Sequence, residues 1–406
     1  MSYDEKDLIV ALDIGTNKVV VMVAQSGPDD QFTILGKGMA HNTGSIRAGV
    51  VYNIEETITL IQKAIDEAQL MAACKIHDVY VSIGGTHIQS FDSSGVVVIK
   101  NKEVGENDVE RVNDTAKAIS VGADDEIVHS LIQQYIVDGR EGILHPVGMS
   151  GMRLEARMHI VVGSFSTIMN VRKCVLRCGV KLNHYYLQSL ASSTAVLTKD
   201  EKDLGVVMLD IGAGTTDIAV YKNGYIVHTG VLNIAGDVIT NDIAAVLGTT
   251  KQEAENIKLK YGAAVPTHIE EDDLFELNAI GGSVNYEKRK MLSKIIEARL
   301  DELFGLVQKE IGKEILDSVS SYVITGGTAL MPGIVELAED VLSKQVRVGV
   351  PLYQNNLADL VNDPRYSTVI GMLQEARTDG SKVLRKTRKQ SSVKYWCGRV
   401  KSWLLS

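Results

Sequence analysis

The 406-residue chain is poor in aromatic residues, at 5%, and its net charge is −9. Both facts argue against a nucleic-acid partner, which needs a basic surface and rings on which bases stack. Cysteine is scarce: Cys74 and Cys397 stand alone, and Cys174 and Cys178 sit one helical turn apart. No second pair follows and the nine histidines do not cluster, so neither a disulfide framework nor a zinc site is expected. The thiols are expected to be packing residues in a reducing cytoplasm. No apolar run approaches the ~18 residues that a membrane-spanning helix needs. The opening MSYDEKDLIV is acidic and then strand-like, which predicts no signal peptide. The G-x-x-x-x-G-K-[ST] pattern is missing, and so is G-x-G-x-x-G after a strand, so P-loop and Rossmann sites lack their motifs. GMSGM at Gly148–Met152 puts Met152 where a nucleophile elbow needs glycine, and reads as a loop.

What is present is 45% hydrophobic and 23% charged residues, enough for a sizeable core in about two to four domains. Residues 8–13 form an apolar run that breaks at Gly15 and resumes over 18–24, a strand, a turn and a strand. The same figure returns over 205–210, a turn at Gly212–Gly214, and 217–221. LDIGTNKVVVMV and LDIGAGTTDIAVY are two copies of one device, which predicts two related lobes. Between them, 54–71 has helical periodicity and 79–84 reads as a strand ending in Gly84-Gly85. Residues 85–163 look like a separate module. Its strand candidates are 95–100, 130–137 and 157–162, and its helix starts at an Asn107 cap with Glu110 three residues on. Further helices are expected over 166–178, 186–197, 237–247 and 250–261, the last opened by Thr249–Thr250 with Glu253 in the manner of a capping box. Residues 269–284 read as a surface strand or loop, and 287–315 as one or two helices. A strand over 321–325 ends in Gly326-Gly327, and helices follow over 333–343 and 365–376.

Each hairpin puts an aspartate, Asp13 or Asp210, at the end of a buried strand. A glycine turn follows, and its N–H groups can approach an anion closely because no Cβ intervenes. Two facing turns would clamp a polyphosphate, with the aspartates holding its Mg²⁺ mostly through water. Hydroxyls of Thr16, Thr215 and Thr216 can donate to phosphate, and Lys18 can neutralise charge. A single D-I-G-T is as readily an ordinary hairpin with an Asx turn; the second copy and the Gly-Gly at 326–327 favour the clamp.

The tracts LDIGTNKVVV, GVVMLDIGAGTTDIAVY, LQSLASSTAVL, VITGGTALMPGI and YSTVIGML resemble those of the actin/Hsp70/sugar-kinase ATPases. With a module inserted after Gly84-Gly85 and an amphipathic helix after a linker, the chain is similar over essentially its whole length to the FtsA family of bacterial cell-division proteins. The resemblance implies an α/β, actin-like two-lobed ATPase fold. Its first lobe would comprise 1–84 and 164–201, interrupted by the α+β module at 85–163. The second lobe would comprise 202–232 and 305–376, the latter also returning to the first lobe, with an outer subdomain at 233–304. A basic linker at 377–392 and an amphipathic helix at 393–406 would follow. It implies ATP with Mg²⁺ on the first turn (Asp13, Gly15, Thr16, Asn17, Lys18) and the second (Asp210, Gly212, Gly214, Thr215, Thr216, Asp217). Gly326 and Gly327 would lie against ribose and adenine, Gly236 and Asp237 near the nucleotide, and Glu255 and Lys258 beside the adenine. Gln188 falls where such ATPases orient the attacking water; glutamine is no strong base, so at most slow hydrolysis is expected.

The tail has its own pattern. On a helical wheel Val393, Trp396, Cys397, Val400, Trp403 and Leu404 fall within about one third of the circumference, edged by Lys394, Lys401 and Arg399. Tryptophans in an apolar stripe edged by cations suit an anionic bilayer surface; docking on the protein's own body or on a partner is the alternative. Glu297, Arg299, Asp301 and Glu302 form a charged face that, unaided, reads as solvated. The resemblance makes Arg299 and Glu302 part of the dock for the C-terminal peptide of FtsZ. It further implies self-association into actin-like filaments, later division proteins bound through 85–163, and a site on the cytoplasmic side of the inner membrane. A sugar kinase of the same fold is the alternative. It would need a carboxylate base in the cleft and would have no use for the tail.

Overall fold

Residues 8–26 are apolar almost throughout, the pattern of strands covered on both faces. They fold as an antiparallel hairpin of Leu8–Ile14 and Lys18–Ser26. The computed structural model describes residues 8–27, 31–282, 284–353, 357 and 361–378. The linker and the tail helix expected from the sequence lie outside the described residues.

The hairpin sits inside a five-stranded sheet. The order is Lys181–Leu187, Asp78–Ile83, Leu8–Ile14, Lys18–Ser26 and Phe32–His41. A second sheet repeats it with Gln345–Val348, Ser321–Thr325, Val206–Ile211, Thr216–Lys222 and Tyr225–Leu232. In both, an antiparallel meander of three strands is extended by two parallel ones beside its first strand. The duplicated tracts are thus duplicated topology.

Three apolar cores hold this frame. Ile61 and Ile65 of the helix Ile54–Ala72 pack with Val171 and Val175 of Phe165–Arg177 on one face of the first sheet. Leu300 and Phe304 of Arg289–Ile311 cover the second sheet at Leu209 and Ile324. The third core joins the lobes: Ala11, Val20 and Met22 meet Val206, Met208 and Val323 around two helices, Gln188–Val196 and 367–378. The two helices cross so closely that a Cβ on Gly371 would lie 1.7 Å from the Ala191 carbonyl oxygen.

The inserted sheet has the order Ile88–Val98, Arg153–Ser164, Asp125–Val137, Arg140–Ile143, with the helix Glu106–Lys117 packed on it. Its strands are longer than expected. The helix is capped at Gly105, whose N–H donates to Asp108 Oδ2 at 3.1 Å, not at Asn107. The module also reaches the second lobe. Ser90 donates to the Thr229 carbonyl at 2.9 Å and Gln133 to the Ile226 carbonyl at 3.2 Å. His159 bridges Asp92 and Thr229 Oγ1, both at 2.9 Å. These side chains reach the outer edge strand Tyr225–Leu232.

One expectation changes, and two open ones are resolved. Residues 186 and 187 end a strand, and the helix begins at Gln188. The 269–284 stretch contributes to a hairpin, Leu274–Asn278 with Val284–Lys288. The 287–315 stretch is two helices, Arg289–Ile311 and Lys313–Leu316, parted at Gly312 with φ +81°.

Candidate functional site

The two glycine turns close in the same way. Gly15 N–H donates to the Lys18 carbonyl at 3.0 Å, and Gly212 N–H to the Thr215 carbonyl at 2.9 Å. The turns meet: a Cβ on Gly214 would lie 2.5 Å from Thr16 Oγ1. Between the lobes lies a cleft of about 500 Å³. Asp13, Gly15, Thr16, Asn17 and Lys18 line it from the first lobe, and Asp210, Gly212, Gly214, Thr215 and Asp217 from the second. Gln188, Gly236, Glu255, Lys258, Gly326 and Gly327 complete the expected set. Thr216 and Asp237 are not on the lining. The Thr216 hydroxyl donates instead to the Ile234 carbonyl at 2.7 Å, and Asp237 N–H ties its helix to the Ala213 carbonyl at 2.8 Å. The Thr215 hydroxyl is also engaged, on Asp217 at 2.9 Å.

Burial raises all three cleft aspartates. Asp13 is pushed up by loss of solvent, against the pull of Ser82 (2.7 Å), the Lys18 charge and the Gln188 amide at 3.4 Å. Asp210 rises to about 6 for the same reason, although Ser192 donates to it at 2.5 Å and Thr368 at 3.2 Å. Asp217 rises to about 7 through burial and the neighbouring Asp210 charge. Its Oδ1 finds no hydrogen-bond partner among the described residues. Lys18 is pushed down to about 8 by burial, its ammonium 4.2 Å from the centre of the Tyr366 ring. Carboxylates pushed up by loss of solvent would be held in their ionised forms by a cation between them. Among the described residues no group of three or more His, Cys, Asp or Glu could hold a metal by itself. A divalent cation held by Asp13 and Asp210 would need water or ligand oxygens to complete its shell.

The Gly-Gly turn lies against the second aspartate. Gly326 has φ +85°, and a Cβ there would be 2.4 Å from Asp210 Oδ1. Beyond it, Lys258 bonds the Gly236 carbonyl at 3.0 Å, Thr240 at 2.8 Å and Glu255 at 2.7 Å. Ser82, Ser192, Thr368 and Tyr366 were not singled out from the sequence. Ser192, Tyr366 and Thr368 lie within tracts that carried the resemblance, but a short hydroxyl leaves no periodic signal.

Arg299 is an internal tie. Its Nε and Nη2 donate to Asp242 at 2.5 and 3.0 Å, binding Arg289–Ile311 to the helix Gly236–Leu247, and its Nη1 bonds Glu302. The Glu302 side chain is 52% exposed. The tail residues Val393, Lys394, Trp396, Arg399, Val400, Lys401, Trp403 and Leu404 lie outside the described residues.

Two sheets of one topology around a glycine-turn cleft define the actin-like class. Among solved structures, the PilM-PilN type IV pilus biogenesis complex aligns at TM-score 0.66 and 14% identity, covering 90% of this chain and 98% of that one. MreB5 of Spiroplasma citri bound to ADP aligns at 0.57 and 14%, covering 96% and 99%. These likenesses concern the fold. Sequence relatives go further. A family model for the cell division protein FtsA matches residues 207–371, and one for the SHS2 domain inserted in FtsA matches 85–162. The chain is 45% identical over 379 residues to the cell division protein FtsA of Pseudomonas aeruginosa, covering 92% of this chain and 91% of that protein. It is 38% identical over 414 residues to that of Escherichia coli K12, covering 98% of each. The chain belongs to the FtsA family of cell-division proteins.

Proposed function

We propose that this protein is an ATP-dependent adaptor that holds the FtsZ ring to the inner face of the bacterial cytoplasmic membrane. The observation that carries it is the pair of facing glycine turns, each beside a half-buried aspartate near the end of a strand, in a chain of the FtsA family. ATP would lie across both turns, with Asp13 and Asp210 on its Mg²⁺. Thr16, Lys18, Gly212 and Gly214 would cradle phosphates, and Gly326 and Gly327 would back the nucleoside. Gln188 offers an amide where a base would speed hydrolysis, so the nucleotide acts chiefly as a structural or switching ligand. The face around Arg299 and Glu302 takes the FtsZ C-terminal peptide. The 85–163 module receives later division proteins, actin-like bodies associate into filaments, and residues 393–406 anchor to anionic lipid. The test is co-sedimentation of the full chain with anionic vesicles and FtsZ, with and without Mg-ATP. FtsZ should pellet only when the chain is present. FtsZ left in the supernatant above membrane-bound chain would overturn the adaptor reading, and phosphate transfer to a sugar would favour a kinase.

A further inference from the structure

A short ribbon stands beside the cleft. Ile46–Arg47 pairs with Val50–Val51, and the turn between them is Ala48-Gly49. Both turn residues are left-handed, at φ +46° and +76°. Glycine and asparagine suit a two-residue turn with positive φ at both positions. Alanine does not, so Ala48 keeps this conformation only because its surroundings impose it. Asn42 ties the ribbon to the first glycine turn. Its side-chain amide donates to the Thr16 carbonyl at 2.5 Å and the Ile46 carbonyl at 2.7 Å, and its backbone N–H to the Asn17 carbonyl at 2.9 Å.

The tip of the ribbon lies between the second glycine turn and the root of the inserted module. On one side, a Cβ on Gly214 would lie 3.0 Å from the Ala48 nitrogen. On the other, a Cβ on Gly49 would lie 2.6 Å from the Gly84 carbonyl oxygen, and one on Gly85 would lie 2.6 Å from the Ala48 carbonyl oxygen. Gly49 also lines the cleft, whereas Gly85 does not. Backbone meets backbone at each contact, with no side chain between that could change rotamer and absorb a shift. The module's first strand, Ile88–Val98, follows directly on this root.

We propose that the Ala48-Gly49 tip couples nucleotide in the cleft to the stance of the inserted module. This rests on the nucleotide reading above. Phosphate held between the two glycine turns fixes their spacing, and with it the place of the tip. The tip in turn sets the direction in which Gly84 and Gly85 lead the chain out of the first lobe. Ala48 supplies a second state, because leaving these contacts relieves its strain. The coupling is reciprocal: a partner that holds the module in one stance changes nucleotide affinity by the same factor with which nucleotide favours that stance.

The test is hydrogen exchange of the full chain with and without saturating Mg-ATP, beside calorimetry of ATP binding. Amides of Ile88–Val98 should exchange about tenfold more slowly with ATP bound. Unchanged exchange there, in a chain that calorimetry shows to bind ATP, would overturn the proposal. Absence of ATP binding would overturn the nucleotide reading itself, which is a different result. Gly85→Ala sets a Cβ against the Ala48 carbonyl and parts the tip from the root without entering the cleft. In that variant the slowing should vanish and ATP affinity should fall about tenfold, as reciprocity requires. Slowing that persists would mean that nucleotide reaches the module through the edge strand Tyr225–Leu232, and would overturn the role of the tip. Should Gly85→Ala not fold, Gly49→Ala parts the same contact from the other side and must abolish the slowing too. Ala48→Gly keeps every backbone group of the tip, and its exchange should still slow with ATP; loss of the slowing there would also count against the tip.

Discussion

Three aspartates, Asp217 buried and Asp13 and Asp210 half-buried, set the chemistry of the cleft at the residue scale. Loss of solvent pushes Asp210 up to about 6 and Asp217 up to about 7, from the ordinary 3.8. A carboxyl whose pKa rises on folding binds its proton more tightly in the native chain. The native state is then penalised as pH rises from about 4 towards 7, and the penalty is complete above that window. Mg-nucleotide favours the ionised forms, so its binding runs the other way. Affinity should increase from pH 5.5 to 7.5, with protons released on binding. Calorimetry at pH 6.5 in buffers of different ionisation enthalpy reads that release directly. An affinity that stays flat across the range would show that these carboxylates do not meet the ligand. The glycines beside them are separable. A Cβ on Gly212 would lie 3.3 Å from the Thr215 carbonyl oxygen, a tight contact that the turn relieves by shifting a few tenths of an ångström, so Gly212→Val costs little of the fold while its side chain enters the phosphate path. ATP binding should disappear with the melting temperature shifted by no more than a few degrees, about 1 kcal/mol of stability. Unchanged ATP affinity in that variant would sink the cleft assignment. Gly326 would not give so clean a result, because its positive φ and its contact with Asp210 tie it to the fold as well.

Among the elements, the helix Arg289–Ile311 carries a structural ion pair and, in the proposed function, the FtsZ peptide, and a single substitution confuses the two. Arg299 pairs with Asp242, and the two side chains are 24% and 27% exposed. Arg299→Glu sets two carboxylates against each other and should cost about 1–2 kcal/mol, between an exposed pair and a buried one. Weaker binding of an FtsZ C-terminal peptide by that variant alone would not separate a lost contact from a disturbed helix. The charge-swapped pair, Arg299→Glu with Asp242→Arg, should recover the melting temperature and still bind the peptide weakly. Recovery of peptide binding as well would mean that Arg299 only positions the helix. Much at this scale was legible in the sequence. Thr250 caps the helix Lys251–Tyr261, its hydroxyl accepting from Glu253 N–H at 3.2 Å, as the spacing predicts. The junction at Gln188 was not legible, because apolar periodicity runs from the strand into the helix with no glycine or proline between them. Phe32–His41 alternates cleanly in burial, yet Gly36 and Gly38 weaken its strand signal. Those glycines answer to the helix Ile54–Ala72, whose Ala64 carbonyl would lie 1.9 Å from a Cβ on Gly38.

For the whole molecule, the paired lobes were legible because the same tract is written twice, and the cleft followed from that repetition. The contacts between distant parts were not. Ser90 and Thr229, or Ser192 and Asp210, are single polar side chains that meet only through the fold, and no local pattern announces them. The tail is the reverse case, a strong pattern in residues that the structure does not describe. A segment of this length is too short to be a stable helix in water, so it should order only on a surface. Full burial of a large apolar side chain contributes about 1.5–3 kcal/mol, and the shallower insertion of Val393, Trp396, Val400, Trp403 and Leu404 contributes less for each. Lys394, Arg399 and Lys401 add about 1 kcal/mol apiece near anionic lipid, and salt screens that share. The sum gives reversible attachment, which assembly of actin-like bodies would strengthen by avidity. Trp396 and Trp403 are the only tryptophans in the chain, so fluorescence reports on this segment alone. Emission should shift to the blue when anionic vesicles are added, and the shift should shrink in high salt. Trp403→Glu should release the protein from vesicles without changing its affinity for ATP. Unshifted emission from protein that still floats with the vesicles would place the anchor on some other surface.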